Sequence, residues 1–536
     1  MKRRNFIKTT ALASVPLALN GIPVMASSKF DSSALELLAQ SSLNCGKILV
    51  IIQMNGGNDG LNTVFPLDEW SNLSNARANI LMNQTDVLTL NNNITTGLHP
   101  AMTELKNLYD NGKLMIVQGV SYPNPSYSHF RATDIWFTAA NSNQTLNTGW
   151  LGRSLEVIYP GNNYPNASMT DPLAIQIGST LPFSLQGSTS NLGYNTPDPS
   201  SLLNVINQIT DPVPNSDYGT ELAFLRLMKD QSNAYRTVIQ AAYNTPQGAS
   251  ATYPTSNSLG DQLKIVAKLI NGGLKTPIYV VNHPNSHDTH FNQVDITDKR
   301  TGSQANNLSI LSKAIGAFQQ DLELMGKSNL VTGMTFSEFG RRIKSNSSLG
   351  TDHGDVAPVL FFGAALNTSP TAVAGTSQPV PGMIGTSPTL PVNAGVNDFA
   401  TRQFDFRQIY SSIMQDWLCM TEAEATQVLG GSYTKLPIFQ ATPLSTTNFD
   451  LTDNNFVNVY PNPVVNGNIT IVFNDAINSI VNIQIHSIQG ALIYSENAMV
   501  ENNSLQLLVS NLTSTGMYIM RIVYNDRTFY KKIMVQ

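Results

Sequence analysis

Short, nearly continuous apolar runs recur between residues 46 and 438, and segments with helical periodicity lie between them. The runs are Lys47–Gln53, Leu114–Gln118, Pro277–Val281, Val331–Phe336 and Pro358–Phe362. A run of this kind is typical of a strand that is buried on both faces, as in a parallel sheet covered by helices. The alternation therefore predicts an α/β domain with a doubly wound, mostly parallel sheet.

Helical periodicity and loop composition account for the rest of this domain. Helices are predicted over 99–112 and 219–243 and around the apolar stripes Leu263–Ile270 and Leu308–Leu322. Residues 160–216 and 364–400 are rich in Pro, Gly, Ser, Thr and Asn, which predicts long surface loops.

Composition excludes several functional classes. Charged residues make up only 12% of the chain, and a net charge of −5 gives no electrostatic basis for binding nucleic acid. After the N-terminal segment no apolar run approaches the ~20 residues that span a bilayer, so no transmembrane segment is expected in the mature chain. Cys45 and Cys419 are too few for a disulfide framework; two buried thiols are expected, with a single bridge as the alternative.

Histidine is rare in this chain, and its distribution is uneven. Four of the seven histidines lie in two short segments that also carry acids, His283–His290 and Thr351–Gly354. Imidazole and carboxylate groups together can hold a divalent cation or transfer protons near neutral pH. These segments are therefore candidates for the chemistry of the protein, whereas His129 and His283 are expected to be neighbours of the site and not ligands.

Candidate polar side chains also follow four of the predicted strands. In strand order they are Asn58-Asp59, Tyr122–Ser128, Asp288 with His290, and Ser337-Glu338. Ligands in open α/β sheets bind beyond the carboxyl ends of the strands, so these groups are expected to converge. Asp352-His353 precedes the fifth apolar run and has to reach the site from a loop.

Each motif also has a purely structural interpretation. The segments and their alternatives are Gly56–Gly60 as a tight turn, His287–His290 as a helix start, Ser126–Arg131 as a helix start capped by Ser128, Glu338–Arg342 as an ion pair, and Asp352–Gly354 as a loop turn. Their joint placement at strand ends favours a site. The sequence has no Gly-x-Ser-x-Gly nucleophile elbow, so nothing specific supports a Ser-His-Asp triad.

The first 26 residues have the pattern of an export signal. A basic start, Met1–Lys8, precedes an apolar stretch, and small residues around Ala26 suit a cleavage site. Arg3–Lys8 resembles a twin-arginine signal, which implies export of a folded protein, and an ordinary Sec signal is the alternative.

Residues 457–536 have a different character from the preceding domain, and residues 439–456 are the predicted linker. Alternating apolar and polar residues predict strands that would build a small, all-β sandwich. These strands are Ile469–Phe473, Val481–Ile485, Leu505–Val509 and Tyr518–Tyr524.

Spaced motifs in this segment carry a family resemblance. Tyr460–Pro463, Gly516–Tyr518 and Lys531–Ile533 resemble the C-terminal sorting domain of the type IX secretion system of Bacteroidota. The resemblance implies recognition by that machinery, passage through the periplasm, and a final location outside the cell or on the outer-membrane surface. A carbohydrate-binding or adhesive β-module is the alternative interpretation.

The larger domain resembles the family called domain of unknown function 1501. The segments that carry the resemblance run in order along the domain: Asn55–Thr63, Leu98–Pro100, Tyr122–Asn124, Ser128–Arg131, Asp134–Trp136, Trp150–Gly152, Asp288–Gln293, Ser337–Arg341, Thr351–Gly354, Asp405–Arg407 and Trp417-Leu418. That family is in turn similar to the alkaline phosphatase and sulfatase superfamily, whose members hydrolyse phosphate or sulfate esters with one or two bound metals.

The superfamily resemblance implies a set of metal ligands. The matching residues are Asp59, Asp288, His290 and His353, with Glu338 supplying a further carboxylate. Phe339 stands where the superfamily has a ligand histidine, so Asp352 or His287 is expected to replace that ligand. The implied cofactor is a divalent cation, which could be zinc, calcium or manganese.

The same resemblance implies catalytic groups. Ser128 is the first match for the nucleophile and Ser126 the second, and Arg131 or Arg341 would hold the anionic group of the substrate. The leading hypothesis is therefore a secreted, metal-dependent hydrolase of phosphate or sulfate esters. The alternatives are a non-catalytic surface-binding protein on a degenerate hydrolase scaffold and a serine esterase that needs no metal.

Overall fold

The computed structural model describes most of the chain outside its N-terminus. The described residues are 45–160, 164–166, 169–201, 233–368, 380–440 and 457–535 without 466, 475–478, 488–491, 510–514 and 525–526, together with 17–19, 22–24, 212, 214, 216 and 222. The chain divides into two compact units, Gln40–Ala441 and a unit made of Thr442–Gln536 with Met1–Ala39. The predicted signal peptide, apart from strands β1 (Leu17–Leu19) and β2 (Ile22–Val24), and nearly all of the predicted linker lie outside the described residues.

The unit Gln40–Ala441 is built from strands and helices in alternation. Its strands are β3 (Ile48–Gln53), β4 (Val64–Pro66), β5 (Leu88–Leu90), β6 (Asn93–Leu98), β7 (Leu114–Ser121), β8 (Ala174–Ile177), β9 (Gly193–Thr196), β10 (Ile278–Asn282), β11 (Val331–Phe336), β12 (Arg341–Ser345), β13 (Thr351–His353), β14 (Ala357–Phe362), β15 (Met383–Ile384) and β16 (Phe404–Asp405). Its α-helices are α1 (Gly60–Thr63), α2 (Trp70–Arg77), α3 (Thr103–Asp110), α4 (His129–Thr138), α5 (Trp150–Ile158), α6 (described over 233–244), α7 (Ser258–Asn271), α8 (Ser303–Leu324), α9 (Phe406–Ser412) and α10 (Glu422–Leu429).

One large sheet organises this unit. Its strand order is β15-β7-β14-β11-β3-β10-β8-β9, and β16 also pairs with β7. β3 is parallel to both β10 and β11, whereas β14 is antiparallel to its two neighbours. The five apolar runs are all strands of this sheet, so the predicted α/β class with a mostly parallel sheet is confirmed.

Both faces of the sheet are covered, as the continuous apolar runs predicted. Along β3, Leu49 and Ile51 pack into one hydrophobic core, and Val50 and Ile52 pack into the core on the opposite face. Side chains alternate between the faces of a strand, so a strand between two helical layers has to be apolar at every position.

The two predicted loop regions contain short strands that the sequence analysis missed. Strands β8 and β9 lie within 160–216, and β15 lies within 364–400. Each is two to four residues long and is surrounded by Pro, Gly, Ser and Asn. Such short segments show too little periodicity to be recognised, and pairing with a neighbouring strand stabilises them. The helix predicted over 219–243 overlaps α6, and its earlier residues, apart from 222, fall outside the described part.

The expectation of two buried thiols was wrong. Cys45 and Cys419 form a disulfide, with their Cα atoms 6.1 Å apart across 374 residues of sequence. Cys45 precedes β3, and Cys419 follows the π-helical segment Ile413–Trp417. The tertiary fold brings these two ends of the domain together, and sequence separation alone could not show this. A disulfide is typical of a protein that functions in an oxidising compartment.

The C-terminal segment folds as an all-β unit, as predicted. Its strands, β17 (Val457–Val465), β18 (Asn468–Phe473), β19 (Ile480–Ser487), β20 (Leu492–Met499), β21 (Ser504–Leu508), β22 (Gly516–Tyr524) and β23 (Arg527–Val535), lie in the order β20-β19-β22-β23-β17-β18-β21. Alternate residues, such as Ile469, Ile471 and Phe473, are buried in its own core. Within the residues that the structure describes, none of the helices combines the length and the apolar composition needed to cross a membrane.

A buried histidine should make the larger unit sensitive to acid. His99 is almost fully buried, its Nδ1 accepts a hydrogen bond from the Ala101 amide, and burial lowers its pKa from 6.5 to about 4. Below pH 6.5 His99 is protonated in the unfolded chain but stays neutral in the folded chain. The free energy of unfolding therefore decreases as the pH drops towards 4, by up to about 3 kcal/mol. We expect the His99→Gln variant to lose less stability than the wild type between pH 7.5 and pH 4.5, as measured by urea unfolding at both pH values. An equal loss in both proteins would contradict the prediction.

Candidate metal centre

Four strands direct their following loops to one edge of the large sheet. β11, β3 and β10 are parallel neighbours, and β7 runs the same way because β14 lies antiparallel between β7 and β11. Backbone hydrogen bonds join the loops as they leave the sheet, from Met54 N to Phe336 O and from His283 N to Gln53 O, each 2.9 Å. Loop residues from different strands therefore meet at this edge.

Asp288, His290 and His353 form what we call the ligand triangle. Asp288 Oδ1 lies 3.1 Å from His290 Nε2 and 3.2 Å from His353 Nε2, and the two Nε2 atoms lie 3.0 Å apart. Asp288 and His290 follow β10, and His353 ends β13. All three residues were candidate ligands in the sequence analysis, and the structure brings them together.

The opposite ring nitrogens of the two imidazoles face hydrogen-bond acceptors. His290 Nδ1 lies 3.1 Å from Asp352 Oδ1, and His353 Nδ1 lies 2.8 Å from the carbonyl oxygen of Tyr127. An ionised carboxylate and a carbonyl only accept, so in the neutral imidazoles both Nδ1 atoms carry the proton. Both Nε2 lone pairs therefore face each other and the Asp288 carboxylate.

This arrangement fits a divalent cation. Three facing acceptors repel one another unless a positive charge lies between them. Two ligand atoms that bind one transition metal at about 2.0–2.1 Å are themselves about 3.0–3.4 Å apart. The edges of the ligand triangle, 3.0–3.2 Å, have this length. Asp352 then has the role of an outer carboxylate that orients a ligand histidine.

His129 also lies in the site, where the sequence analysis did not expect it. Its Nε2 lies 3.5 Å from Asp288 Oδ2, and its Nδ1 lies 2.8 Å from Glu338 Oε1. Ligand atoms of His129, Asp288 and His353 all lie within 4.8 Å of one another. The hydrogen bond that this Nδ1 donates to the Glu338 carboxylate raises the pKa of His129. Its position at the start of the helix after β7 was the signal in the sequence, but that position was assigned to the neighbouring Ser128.

Glu338 and Arg341 are buried next to the site and form hydrogen bonds to its side chains and loops. Glu338 is buried, and its Oε1 also accepts a hydrogen bond from Gly56 N at 2.7 Å. The fully buried Arg341 guanidinium donates to Asp288 Oδ1 at 2.6 Å and to backbone carbonyls that include Gly57 O and Thr351 O. Burial alone would raise the pKa of Asp288, but Arg341 outweighs that effect and the pKa lies below its usual value. Asp288 therefore stays ionised.

Phe339 occupies the place where a further histidine ligand was expected from the superfamily. Its buried ring packs against His129 and His353, with centroid separations of 4.9 and 4.6 Å. Gly57 has a φ of +78°, and a Cβ atom there would lie 2.4 Å from the Phe339 ring. A glycine at this position therefore allows Phe339 to form an apolar wall beside the cluster.

Asp59 lies apart from the ligand triangle. It is fully buried and forms an ion pair with the equally buried Arg77, Nη1 to Oδ2 at 2.8 Å. Its carboxylate also accepts hydrogen bonds from Gln293 Nε2 at 2.6 Å and from Leu61 N at 3.2 Å. Asp59 thus follows the first strand as predicted, but its lone pairs are directed at protein donors.

The two predicted catalytic residues, Ser128 and Arg131, lie at the start of α4. Ser128 is exposed and precedes α4 as its N-cap, without a capping hydrogen bond from its side chain. Arg131 forms an ion pair with Asp134 and donates to the carbonyl oxygen of Ser142 at 3.2 Å. Residues two positions apart on a helix point to different sides, so α4 cannot direct both His129 and Arg131 at the cluster.

His287 does not supply a ligand to the cluster either. Its ring is fully buried against His283, with a centroid separation of 4.7 Å. Burial lowers its pKa well below the usual value, so the ring is neutral. Asp352, the other candidate replacement, orients His290 as described above.

A cleft of about 490 Å³ opens beside the cluster. Asp288, His129 and Glu338 contribute to its lining, and one face of α4 contributes Phe130 and Phe137. Phe130 is 90% exposed. The described residues that line the cleft include no lysine and no arginine. The cleft is therefore an aromatic-sided space with acidic and imidazole groups along one part of its wall.

Comparisons with known proteins give weak structural likenesses. No curated protein matches the chain. The PsFucS1 sulfatase from Pseudoalteromonas sp. is 9% identical, with a TM-score of 0.30, covering 92% of this chain and 90% of that one. A protein in the alkaline phosphatase superfamily from Vibrio parahaemolyticus is 9% identical, with a TM-score of 0.28, covering 88% and 92%. The lipoteichoic acid synthase LtaP from Listeria monocytogenes is 10% identical, with a TM-score of 0.30, covering 91% and 90%. These likenesses are too weak to transfer a reaction to this chain.

Two family models match the chain itself. Residues 458–536 match the secretion system C-terminal sorting domain. The C-terminal unit is therefore a sorting domain, as predicted, which implies export to the cell surface or the medium by type IX machinery. Residues 118–428, more than half of the chain, match the model described as protein of unknown function (DUF1501), and the chain belongs to that family.

Proposed function

We propose that this protein is an exported, metal-dependent hydrolase of phosphate or sulfate esters. The ligand triangle supports the proposal most, because its three acceptor atoms lie 3.0–3.2 Å apart and face one another. When bound there, a divalent cation supplies Lewis-acid polarisation of an ester oxygen. Two imidazoles and one carboxylate suit zinc or manganese better than calcium, which prefers an all-oxygen ligand set.

His129 is the residue best placed to move a proton. Its Nδ1 is held by Glu338, so its Nε2 is oriented towards Asp288 and the cleft. Holding one ring nitrogen on a carboxylate fixes the imidazole and favours its protonated form. In this role His129 would donate a proton to the leaving oxygen as water attacks the phosphorus or sulfur atom and the ester bond breaks. Ser128 would have no part in this reaction.

The cleft would receive the organic part of the ester. Phe130 and Phe137 on α4 and Phe183 on the opposite segment provide apolar contacts. Arg341 is committed to backbone carbonyls and to Asp288, and Arg131 to Asp134 and its loop. Neutralisation of the anionic group would therefore depend on the cation and on His129.

Metal binding and hydrolysis should be lost together when the ligand triangle is altered. We expect the purified chain, stripped with chelator and titrated with zinc or manganese, to bind one cation per molecule. His290→Ala and His353→Ala remove a ligand and should weaken binding by more than about 100-fold. Calorimetric titration measures the affinity, and p-nitrophenyl phosphate and sulfate, with and without chelator, report hydrolysis.

The matched control is His486→Ala, because His486 lies on β19 in the other unit. This variant should bind metal and turn over esters like the wild type. A wild-type protein that binds no zinc or manganese would overturn the proposal.

A second candidate function is metal-dependent binding at the cell surface without catalysis. The observation that favours it is the exposed position of Ser128, together with Phe339 in place of an expected ligand. This candidate gains support if the protein binds one metal ion but hydrolyses neither ester class in the experiment above.

We further propose that the N-terminal segment, with its paired arginines, directs export through the twin-arginine or Sec machinery before type IX transport.

A further inference from the structure

We propose that Gln293 is a positioning residue that holds the two ligand-bearing loops at the spacing that metal binding requires. The inference rests on the proposed metal site. Gln293 is fully buried, on the opposite side of these loops from solvent. Its carboxamide oxygen contacts both ligand-bearing loops, and its carboxamide nitrogen contacts Asp59 in the loop after β3.

The Gln293 carbonyl oxygen connects the two loops directly. Oε1 accepts a hydrogen bond from Thr289 Oγ1 at 3.1 Å and another from Thr351 Oγ1 at 2.8 Å. Thr289 lies between Asp288 and His290 in the sequence, and its buried side chain points away from the face that these neighbours present. Thr351 begins β13, the strand that His353 ends. One oxygen atom therefore links the segments that carry all three members of the ligand triangle.

Asp59 determines which way the Gln293 amide faces. Gln293 Nε2 donates to Asp59 Oδ2 at 2.6 Å, and Arg77 holds the same oxygen at 2.8 Å. A carboxylate paired with a guanidinium only accepts, so the NH2 group has to face Asp59 and the carbonyl oxygen has to face the two threonines. Arg77 and Asp59 thus determine the orientation of the Gln293 side-chain amide, and this amide in turn holds the two ligand-bearing loops together.

Backbone hydrogen bonds also join the two loops around this link, including one from Asn292 N to Ser348 O at 3.0 Å. Thr351 N donates to Thr289 O at 3.1 Å, and Gln293 N donates to Leu349 O at 2.9 Å. The side-chain link lies between these two backbone bonds and closes the same junction. Losing it should leave the fold intact but let the loops separate, which lengthens the distance between His290 Nε2 and His353 Nε2. Outer groups that orient metal ligands typically change metal affinity by about 10–100-fold.

The test compares Thr351→Val with Thr351→Ser, and both with Gln293→Met. Valine keeps the size of threonine but removes the hydroxyl, whereas serine keeps the hydroxyl. We expect Gln293→Met and Thr351→Val to raise the Kd for zinc by about 10–100-fold, while Thr351→Ser stays within about threefold of the wild type. Circular dichroism checks that each variant is folded. Folded Gln293→Met and Thr351→Val proteins with wild-type zinc affinity would overturn the proposal.

A second measurement needs no metal. Hydrogen exchange of the chelator-treated protein should show faster exchange in Gln293→Met in two segments together, 286–296 and 346–356, with β11 unchanged. If the wild type binds no zinc, the proposed function fails, but paired acceleration still supports the positioning role. Acceleration in neither segment, or in one alone, contradicts that role whether or not zinc binds.

Discussion

Replacing Arg77 with Met should destabilise the larger unit by about 3–5 kcal/mol, because it leaves the Asp59 carboxylate as an unpaired charge in the interior. Both side chains are 0% exposed, and their closest contact is 2.8 Å. Arg77 also donates hydrogen bonds to the carbonyl oxygens of Ile343 and Arg342, and these bonds connect it to β12. Urea unfolding followed by tryptophan fluorescence measures the loss in this unit alone, since all four tryptophans precede residue 442.

Two control proteins distinguish the effect of the unpaired Asp59 charge from other ways in which the Arg77 substitution could lower stability. Arg77→Met combined with Asp59→Asn removes both charges and should recover part of the loss, about 1–2 kcal/mol. Lys113→Met breaks a pair of similar length, 2.7 Å from Glu323, whose side chains are 30% and 39% exposed. Exposed pairs contribute about 0–1 kcal/mol, so this variant should be close to the wild type. A double variant no more stable than Arg77→Met would show that the unpaired charge is not the cause.

Removing the disulfide should also have a large effect. Cys45→Ser with Cys419→Ser releases a loop closed across 374 residues. A cross-link over a long loop reduces the freedom of the unfolded chain, and its loss typically costs about 2–5 kcal/mol. Trp417 Nε1 donates to Ile48 O at 3.0 Å beside the bridge, so the two ends should remain adjacent in the folded variant.

Reductant provides the control for this prediction. We expect dithiothreitol to lower the unfolding midpoint of the wild type to that of the double serine variant, and to leave the variant unchanged. Equal midpoints for the oxidised wild type and the variant would contradict a stabilising bridge. Protein purified from a reducing cytoplasm should behave like the variant until it is oxidised.

The strand-end groups could be predicted because parallel strands end at a common edge. Asp288 and His290 were selected because they follow a strand, whereas His353 was expected to reach the site from a loop, and the superfamily resemblance implied all three as ligands. The three residues meet within 3.2 Å. The choice between Ser128 and His129 could not be made in this way. Adjacent helical residues point about 100° apart, so the packing of α4 decides which one faces the cleft.

Asp59 illustrates the same limit at the first strand. Its place after β3 was predicted, but its partner Arg77 lies on α2 and its third contact, Gln293, lies in a loop far along the chain. An aspartate carboxylate can bind either a metal or an arginine, so residue type alone does not show which partner it has. Only the packing of α2 against β12 directs the guanidinium to it.

The sequence by itself determined the α/β class, the all-β sorting domain and the strand ends at which chemistry could occur. These follow from local periodicity and motifs, which depend on residues near one another in the chain. Tertiary structure alone decided the Cys45–Cys419 bridge, the pairing of Asp59 with Arg77 and the inward orientation of His129. Each depends on contacts between distant segments, and burial in the folded core selects one partner among several of suitable chemistry.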